Sequence, residues 1–395
     1  MAITVMEKMI FFKLRGILFL TVLLCCFIFI SCSNKNSQDI IFVGEKDFSI
    51  KEIQIDHILD IGQIEKIIEL ETSEDSLFAI ADCIRIDNEG HIFLLDKSSQ
   101  QTLFRFDQKG KFLNKYGIRG QGPGEHQTIE GFDFDSRGHV YLLTVFKLIK
   151  YKQTGEFLEE EKINLLSGGI KIIRDELFVY VLRDRSKGLQ NKSAVYVYNT
   201  GLKKIDEIGV YDRHLMKYLY TPSVLLSGSD KELYFIDVYD LCYTKYNTEN
   251  KILIKSLFST KTSSFENIWN KSGLTENDRT KIKSKLHSFG EILYYKNSLF
   301  VTEICRESSI YKFWLIDLGN NKINKYSYFK LINSSIEPQD YLNFDYIAGS
   351  YPNGLILAID DNDRFNKYKN RIKEFQNIEF NIKDSPLIVF FNLKN

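Results

Sequence analysis

A repeat with a spacing of 48 residues is the feature of this chain that most restricts its fold. Residues 83–95 match residues 131–143, and each copy has two alternating apolar runs around an Asp-x-x-Gly turn. Such a pattern predicts a β-hairpin, because the Asp accepts backbone N–H groups in the turn and Gly adopts the positive φ. Residues 103–113 match residues 148–158 at an offset of 45. Two hairpins per repeat predict a unit of four antiparallel strands.

Later segments repeat this pattern less strictly. A single four-stranded sheet cannot bury both of its faces, whereas a ring of such sheets stacks face against face around a common centre. We therefore predict an all-β protein, a six-bladed β-propeller of four-stranded antiparallel blades. Because the last unit is split, residues 64–71 are expected to close the ring beside the C-terminal strand. The four degenerate units are 170–202, 228–250, 291–317 and 349–393.

Two segments interrupt the strand pattern and predict short helical insertions. Residues 275–278 form a Thr-Glu-Asn-Asp capping box, and residues 363–376 carry an apolar stripe opposite Lys and Arg. Packing against the propeller surface is the favoured role of both helices, and binding of a partner is the alternative. The apolar positions spaced for one helical face are Ile282, Leu286 and Phe289 in the first segment and Phe365, Tyr368, Ile372 and Phe375 in the second.

The N-terminal 31 residues are predicted to be a lipoprotein signal peptide. Three basic residues precede an apolar run that ends at Ser31, directly before Cys32. This order is typical of a signal peptide, and the run is shorter than the ~20 residues that a spanning helix needs. Residues 29–32 resemble a bacterial lipobox, with Phe29 in the place of the usual leucine, which implies lipidation of Cys32, for example with palmitate. An uncleaved anchor and an ordinary signal peptide are the alternatives.

Three regions follow from these patterns. Residues 1–31 are the signal peptide, residues 32–48 a polar tether, and residues 49–395 the propeller. We expect a protein that is anchored to the membrane through its N-terminal lipid and is otherwise monomeric.

Charge excludes some partners. The chain contains 52 basic and 52 acidic residues, of which three basic and one acidic precede residue 32, leaving 49 and 51. Nucleic acid is therefore not an expected partner, because phosphate binding needs a basic surplus.

Three cysteines remain after Cys32, and their spacing predicts neither a disulfide framework nor a zinc site. We expect Cys83, Cys242 and Cys305 to be small apolar core residues, with one long-range disulfide as the alternative.

Two segments carry a family resemblance. Residues 110–125, which end in Gly-Ile-Arg-Gly-Gln-Gly-Pro-Gly-Glu, resemble the G-K-F-x(4)-G-x-x-G-x-G-P-G-E segment of the Bacteroidetes six-bladed β-propeller lipoproteins, a group related to NHL-type propellers. Residues 384–394 resemble the closing N-P-x-L-V…L-K strand of that group, with Ser385 in the place of Asn. The resemblance implies six blades and placement at the outer membrane, and it implies no established activity.

The glycine-rich loop supplies the candidate ligand-binding residues. It lacks the Lys-Ser/Thr ending of a phosphate-binding loop, so a tight connection between blades is the favoured interpretation. Loops between blades often line the funnel of a propeller, and this one is predicted to present polar side chains there. These candidate ligand-binding residues are Arg119, Gln121, Glu125 and His126.

No catalytic residue, metal-ligand set or cofactor motif is identified in the sequence. The six histidines lack metal-ligand spacing, and there is no G-x-S-x-G nucleophile elbow. The leading hypothesis is a binding or scaffolding module that presents its funnel to a protein, peptide or glycan. The alternative is a lactonase-like enzyme, a hydrolase or lyase with a metal on the propeller axis. A structural role in an envelope assembly is a third hypothesis.

Overall fold

Every regular element in the described part of the chain is a β-strand. The computed structural model describes residues 40–43, 49–55, 60–186, 193–210, 226–237, 242–257, 275, 288–304, 310–329, 347–359 and 386–394. Within these ranges there is no α-helix, and so no helix that is long and apolar enough to cross a membrane. The all-β prediction is confirmed for these residues.

The repeating element is a four-stranded antiparallel meander. The first two meanders coincide with the 48-residue repeat. Successive side chains of each strand point to opposite faces of the sheet. The first consists of β4 (Cys83–Ile86), β5 (Ile92–Asp96), β6 (Thr102–Phe106) and β7 (Phe112–Tyr116), and the second of β10 (Gly131–Phe134), β11 (Val140–Leu143), β12 (Lys147–Tyr151) and β13 (Phe157–Lys162).

The degenerate repeats form meanders of the same order. The third consists of β14 (Leu165–Ile173), β15 (Glu176–Asp184), β16 (Ser193–Asn199) and β17 (Lys204–Val210), and the fourth of β18 (Leu226–Gly228), β19 (Glu232–Asp237), β20 (Cys242–Asn247) and β21 (Leu253–Leu257). The fifth consists of β22 (Ser288–Tyr295), β23 (Ser298–Ile304), β24 (Ile310–Asp317) and β25 (Lys322–Phe329), and the sixth of β26 (Ile347–Tyr351), β27 (Gly354–Ile359), β28 (Leu387–Leu393) and β3 (Gly62–Glu69).

The sixth meander joins the two ends of the chain. Strand β3 pairs antiparallel with β28 from Gly62 opposite Leu393 to Glu69 opposite Leu387. This pairing confirms the prediction that residues 64–71 lie beside the C-terminal strand.

The first strands of the meanders lie side by side in chain order. Strand β10 contacts β14, β14 contacts β18, β18 contacts β22, and β22 contacts β26. Strand β26 then pairs parallel with β4 through Gly349 and Ile84. An all-β, propeller-like fold follows, in which the first strands are central and the later strands of each meander lie farther out.

Two further strands extend meanders at their outer edges. Strand β1 (Ile40–Val43) pairs parallel with β21, and β2 (Ser49–Gln54) pairs parallel with β25. Strand β1 falls inside the segment predicted to be a polar tether. Its Ile-Ile-Phe-Val sequence favours a strand once an unpaired sheet edge is available.

The first predicted helix needs a correction at its C-terminal end. Phe289 belongs to β22, where its backbone pairs with Glu303 of β23. A short apolar run fits helix and strand periods equally, and the neighbouring strand decides between them. Residues 276–287 and the second predicted helix, 363–376, lie outside the described residues.

The core lies in layers between neighbouring meanders. Phe93 of the first meander packs with Phe132 of the second, and Tyr141 of the second packs with Leu177 of the third. Cys83 packs against the first of these layers, but it is only half-buried and also interacts with the Arg85 guanidinium. The side chain of Cys242 and all of Cys305 lie outside the described residues.

The two Asp-x-x-Gly-His turns are closed by their own side chains. One carboxylate oxygen of Asp135 accepts the backbone N–H groups of Arg137 at 3.0 Å and His139 at 2.9 Å. The other lies 2.9 Å from Nδ1 of the His139 ring. Asp87 and His91 repeat this arrangement, with 2.8 Å between carboxylate and ring. Both histidines therefore stabilise hairpins, as their equivalent repeat positions predict.

Candidate functional site at the central strands

The glycine-rich loop is a compact connection between the first two meanders. Strands β8 (Ile118–Arg119) and β9 (Glu125–His126) pair in parallel across it. The carboxylate of Glu125 folds back and accepts the N–H of Gly122 at 2.8 Å. A Cβ at Gly120 would overlap this carboxylate, so a larger residue there would displace the Glu125 side chain.

The outer strands of the second meander hold this loop in place. Lys147 Nζ donates to the carbonyl of Gly122 at 2.8 Å and pairs with Glu160 at 3.1 Å. Glu160 also accepts the N–H of Gly124 at 2.9 Å. These contacts place the loop against β12 and β13, strands on the outer side of the meander.

His126 points inward from this loop. Its side chain is buried, and within the described residues neither ring nitrogen has a hydrogen-bond partner. Burial lowers the pKa of His126, and the nearby charges of Arg119 and Lys147 lower it further. The ring is therefore neutral near pH 7 and fills space beneath Gly117, whose φ is +72°.

The structure thus divides the four predicted ligand-binding residues. Arg119 and Gln121 are exposed, Glu125 is half-buried in its own loop, and His126 is buried. Arg119 and Gln121 are therefore the two most exposed of the four side chains. Ligand binding by this loop stays a prediction.

A different polar cluster lies on the central strands. Asp133 of β10 pairs with Arg85 of β4 at 2.6 Å and with Lys171 of β14 at 3.2 Å. The carboxylate also accepts the backbone N–H of Ile172 at 2.6 Å. One buried side chain therefore connects the first strands of three successive meanders.

Arg85 makes additional contacts in this cluster. Its Nη2 donates to the carbonyl of Ile170 at 3.1 Å, and its guanidinium lies 5.3 Å from the centre of the Phe132 ring. Stacking on an aromatic ring fixes the orientation of a guanidinium, in addition to the ion pair that attracts its charge. Arg85 is consequently a rigid member of the cluster.

The electrostatics of the cluster are those of a desolvated ion network. Burial opposes ionisation of Asp133, but Arg85 and Lys171 outweigh this effect and lower the pKa of the carboxyl. Burial also opposes the charge of Arg85, but Asp133 and Cys83 outweigh it and raise the pKa of the guanidinium. Asp133 and Arg85 are therefore both charged at pH 7, and the cluster combines one carboxylate with two basic side chains.

Accessibility differs within the cluster. The side chain of Asp133 is 1% exposed, whereas those of Arg85 and Lys171 are 18% and 26% exposed. The two cations, rather than the carboxylate, are therefore the groups that a ligand can reach.

Serines take a related role on other central strands. The Ser227 hydroxyl of β18 accepts the N–H of Tyr294 at 2.9 Å, and the Ser350 hydroxyl of β26 donates to the Tyr294 carbonyl at 3.2 Å. Polar side chains thus bridge neighbouring first strands on both sides of β22.

Arg85, Asp133 and Lys171 are not among the candidate site residues predicted from the sequence. Asp133 lies inside β10 and not in a turn. Arg85 and Asp133 occupy the same position of the 48-residue repeat with opposite charges. That signal was present in the sequence and could have identified the pair.

Asp87, Glu89 and His91 are one group in the described residues whose ligand atoms lie close enough together to hold a metal ion. Asp87 and His91 close a hairpin turn, and Glu89 is exposed. The group therefore fits a hairpin turn.

Comparison with known proteins identifies the family. Residues 50–392 match the family described as Domain of unknown function (DUF4934), and the chain belongs to that family. No curated protein matches the chain with significance.

A protein from Bacteroides fragilis, provisionally named as exported, has a crystal structure with a TM-score of 0.63 at 17% identity, over 88% of this chain and 100% of that chain. At this identity the similarity supports a shared fold.

Two other solved structures are more distant. BamB from Moraxella catarrhalis gives a TM-score of 0.36 at 12% identity, covering 67% of this chain and 66% of that one. The extracellular domain of a provisionally named one-component system from B. thetaiotaomicron gives 0.40 at 11% identity, covering 74% of this chain and 33% of that one.

Proposed function

We propose that this protein is a lipid-anchored binding module of the cell envelope. Its described meanders form a six-bladed β-propeller, Cys32 carries the lipid at the outer membrane, and the funnel binds a protein, peptide or glycan. The signal-like N-terminus supports export, and the Bacteroides fragilis protein of similar fold is also provisionally named as exported.

The observation that carries the binding role is the central Arg85–Asp133–Lys171 cluster. Its carboxylate is enclosed, its cations remain partly accessible, and its net charge is positive. Preorganised cations on a rigid scaffold recognise carboxylate or other acidic groups, because little ordering is required on binding. The preferred ligand is therefore an acidic protein, peptide or glycan.

The same cluster argues against the metal-dependent enzyme. A metal on the axis needs several carboxylate, His or Asn side chains that converge on one point. Among the described central-strand residues, Asp133 is instead flanked by two cations, which would repel a divalent ion. We therefore favour binding over catalysis.

Membrane anchoring is tested with a Cys32→Ala variant expressed in the native host. The wild-type chain should incorporate a palmitate label and sediment with membranes, and the variant should do neither. Labelling of the variant would contradict lipidation at Cys32.

Binding at the central cluster is tested with arrays of acidic and neutral peptides and glycans. Lys171→Gln should weaken binding of acidic probes at least fivefold, because it removes one accessible cation. Lys162→Gln, at an exposed position of β13, is the matched control and should leave binding unchanged. Equal binding of acidic and neutral probes, or equal effects of both variants, would contradict the proposal.

A further inference from the structure

A cavity of about 900 Å³ lies between the fifth and sixth meanders. It is bounded by β2 and β25 on one side and by the end of β28 on the other. Its volume falls within the range of small-molecule sites. The cavity is separate from the central cluster, since none of Arg85, Asp133 and Lys171 contributes to its lining.

The inner wall of the cavity is apolar and well packed. Ile55, Tyr295, Tyr326 and Leu393 line it, and each is less than 9% exposed. The Tyr326 ring stacks on Phe313 with 4.7 Å between ring centres. A wall built in this way is rigid, so it offers a preformed surface to an aliphatic or aromatic group.

The mouth of the cavity is polar and carries excess positive charge. Its charged residues are three lysines and two carboxylates, and the three lysines are exposed. They are Lys296, Lys322 and Lys394, with Asp60 and Asp317.

One of the two carboxylates is occupied by its own turn. Asp317 accepts the N–H groups of Gly319 at 2.9 Å and Asn320 at 3.0 Å, and the amide of Asn320 at 2.8 Å. It also lies opposite Lys322 across the β24–β25 hairpin. Lys296, by contrast, donates to the neutral Asn392 side chain at 3.5 Å. The ammonium of Lys296 is therefore well placed to receive an anion.

We propose that this cavity binds an anionic amphiphile, a long-chain fatty carboxylate, with its chain on the apolar wall and its head at the lysines. An uncharged sugar would leave the Ile55 and Leu393 surfaces without apolar contacts. An aliphatic alcohol would offer no negative charge to the Lys296 ammonium, which contacts the neutral Asn392 side chain. Of these three ligand types, the fatty carboxylate matches both the wall and the mouth.

The test uses the full-length protein in vesicles of phosphatidylcholine and a hexadecanoate that carries a photoreactive diazirine. Cross-linked peptides should contain residues 53–55 or 393–394. Unlabelled hexadecanoate should compete at least tenfold better than hexadecanol. A label on other segments, or equal competition by the alcohol, would overturn the proposal.

Two variants and one matched control separate the effect of the Lys296 charge on labelling from the effect of the cavity volume. Lys296→Glu should reduce labelling at least fivefold, and Leu315→Trp, which fills the cavity without changing charge, should reduce it as strongly. Lys251→Glu is the control, because Lys251 and Lys296 are both exposed lysines with positive φ, +59° and +40°.

The outcomes of the variants are decisive if each variant has the wild-type melting curve. Unchanged labelling in both cavity variants would overturn the site. A loss in Leu315→Trp alone would overturn recognition of the charged head. Either result leaves the proposed binding at the central cluster unaffected, since that binding is measured with different variants.

Discussion

Single residues explain how neighbouring meanders are joined at the centre. Asp133 forms ion pairs with cations on β4 and β14 and accepts a backbone hydrogen bond from β14, although it is almost fully buried. Removing one partner of such a network leaves the remaining charges desolvated, which costs more than the network contributes when complete. Asp133 is therefore a residue on which stability depends.

We expect Asp133→Asn to destabilise the fold by about 2 to 4 kcal/mol, because Arg85 and Lys171 lose their counter-charge while side-chain shape is kept. Urea unfolding measures this change. Asp206→Asn is the control, since the Asp206 side chain is 44% exposed and its carboxylate lies 4.0 Å from Lys251, and it should cost less than about 0.5 kcal/mol. Equal effects of the two variants would contradict a network role.

The same carboxyl predicts a dependence on pH. Because the pKa of folded Asp133 lies below its ordinary value of 3.8, its contribution to stability is complete above that pH. The contribution is lost as pH falls through the lower, folded pKa. Wild-type and Asp133→Asn unfolding free energies should therefore converge in acid, and a constant difference from pH 7 to pH 2 would refute this assignment.

His126 predicts a second pH dependence in a different window. Burial lowers its pKa below 6.5, so the unfolded chain binds a proton more readily than the folded one as pH falls below 6.5. Wild-type stability should fall by up to about 1.4 kcal/mol per pH unit in this window, until the folded pKa is reached. His126→Phe should flatten the profile, and an unchanged slope would show that another group is responsible.

At the scale of elements, both close packing and backbone conformation explain why the glycine-rich loop needs glycine at position 117. Gly117 and Gly138 both have positive φ, +72° and +80°. A Cβ at Gly117 would lie 2.6 Å from the His126 ring, whereas a Cβ at Gly138 would lie 3.4 Å from its nearest neighbour. The two positions therefore share backbone strain but differ in available space.

Gly117→Ala should destabilise the protein by about 2 kcal/mol or more, and Gly138→Ala by about 1 kcal/mol, because the first adds a steric overlap to the same backbone strain. Thermal and urea unfolding of the two variants provide the comparison. Equal losses would mean that the His126 ring moves aside without cost.

The whole molecule depends on joining its two ends. Strand β3 supplies the last strand of the sixth meander, so the ring of meanders is completed by residues far apart in sequence. Loop closure over such a distance lowers the entropy of the folded chain, and the pairing must offset that loss. The β3–β28 pair is therefore the place where a covalent link would have the largest effect.

A disulfide between Gln63→Cys and Asn392→Cys should stabilise the oxidised protein by about 2 to 4 kcal/mol, because these residues face each other across β3 and β28 and enclose most of the chain. The gain should disappear on reduction, which is the internal control. No difference between the oxidised and reduced forms would contradict the register of this pair.

The repeat, the turn residues and the alternation of apolar side chains determine the class of fold without help from the structure. These signals are local, since an Asp-x-x-Gly turn closes through its own carboxylate and an alternating strand shows its buried face in its sequence. The same locality explains the assignment of His91 and His139 to hairpins. The pairing of β28 with β3 also follows, because the last unit is split and residues 64–71 form an alternating segment outside the repeats.

Tertiary structure decided which charged and buried groups meet, although the repeat already placed Arg85 and Asp133 at equivalent positions. Nothing in the glycine-rich loop indicates that His126 turns inward while Arg119 stays exposed, because that depends on the space beneath Gly117. The Arg85–Asp133–Lys171 cluster and the cavity between the fifth and sixth meanders join residues from separate repeats. Ion pairs and cavities depend on distances across neighbouring sheets, and such distances exist only after the sheets have packed.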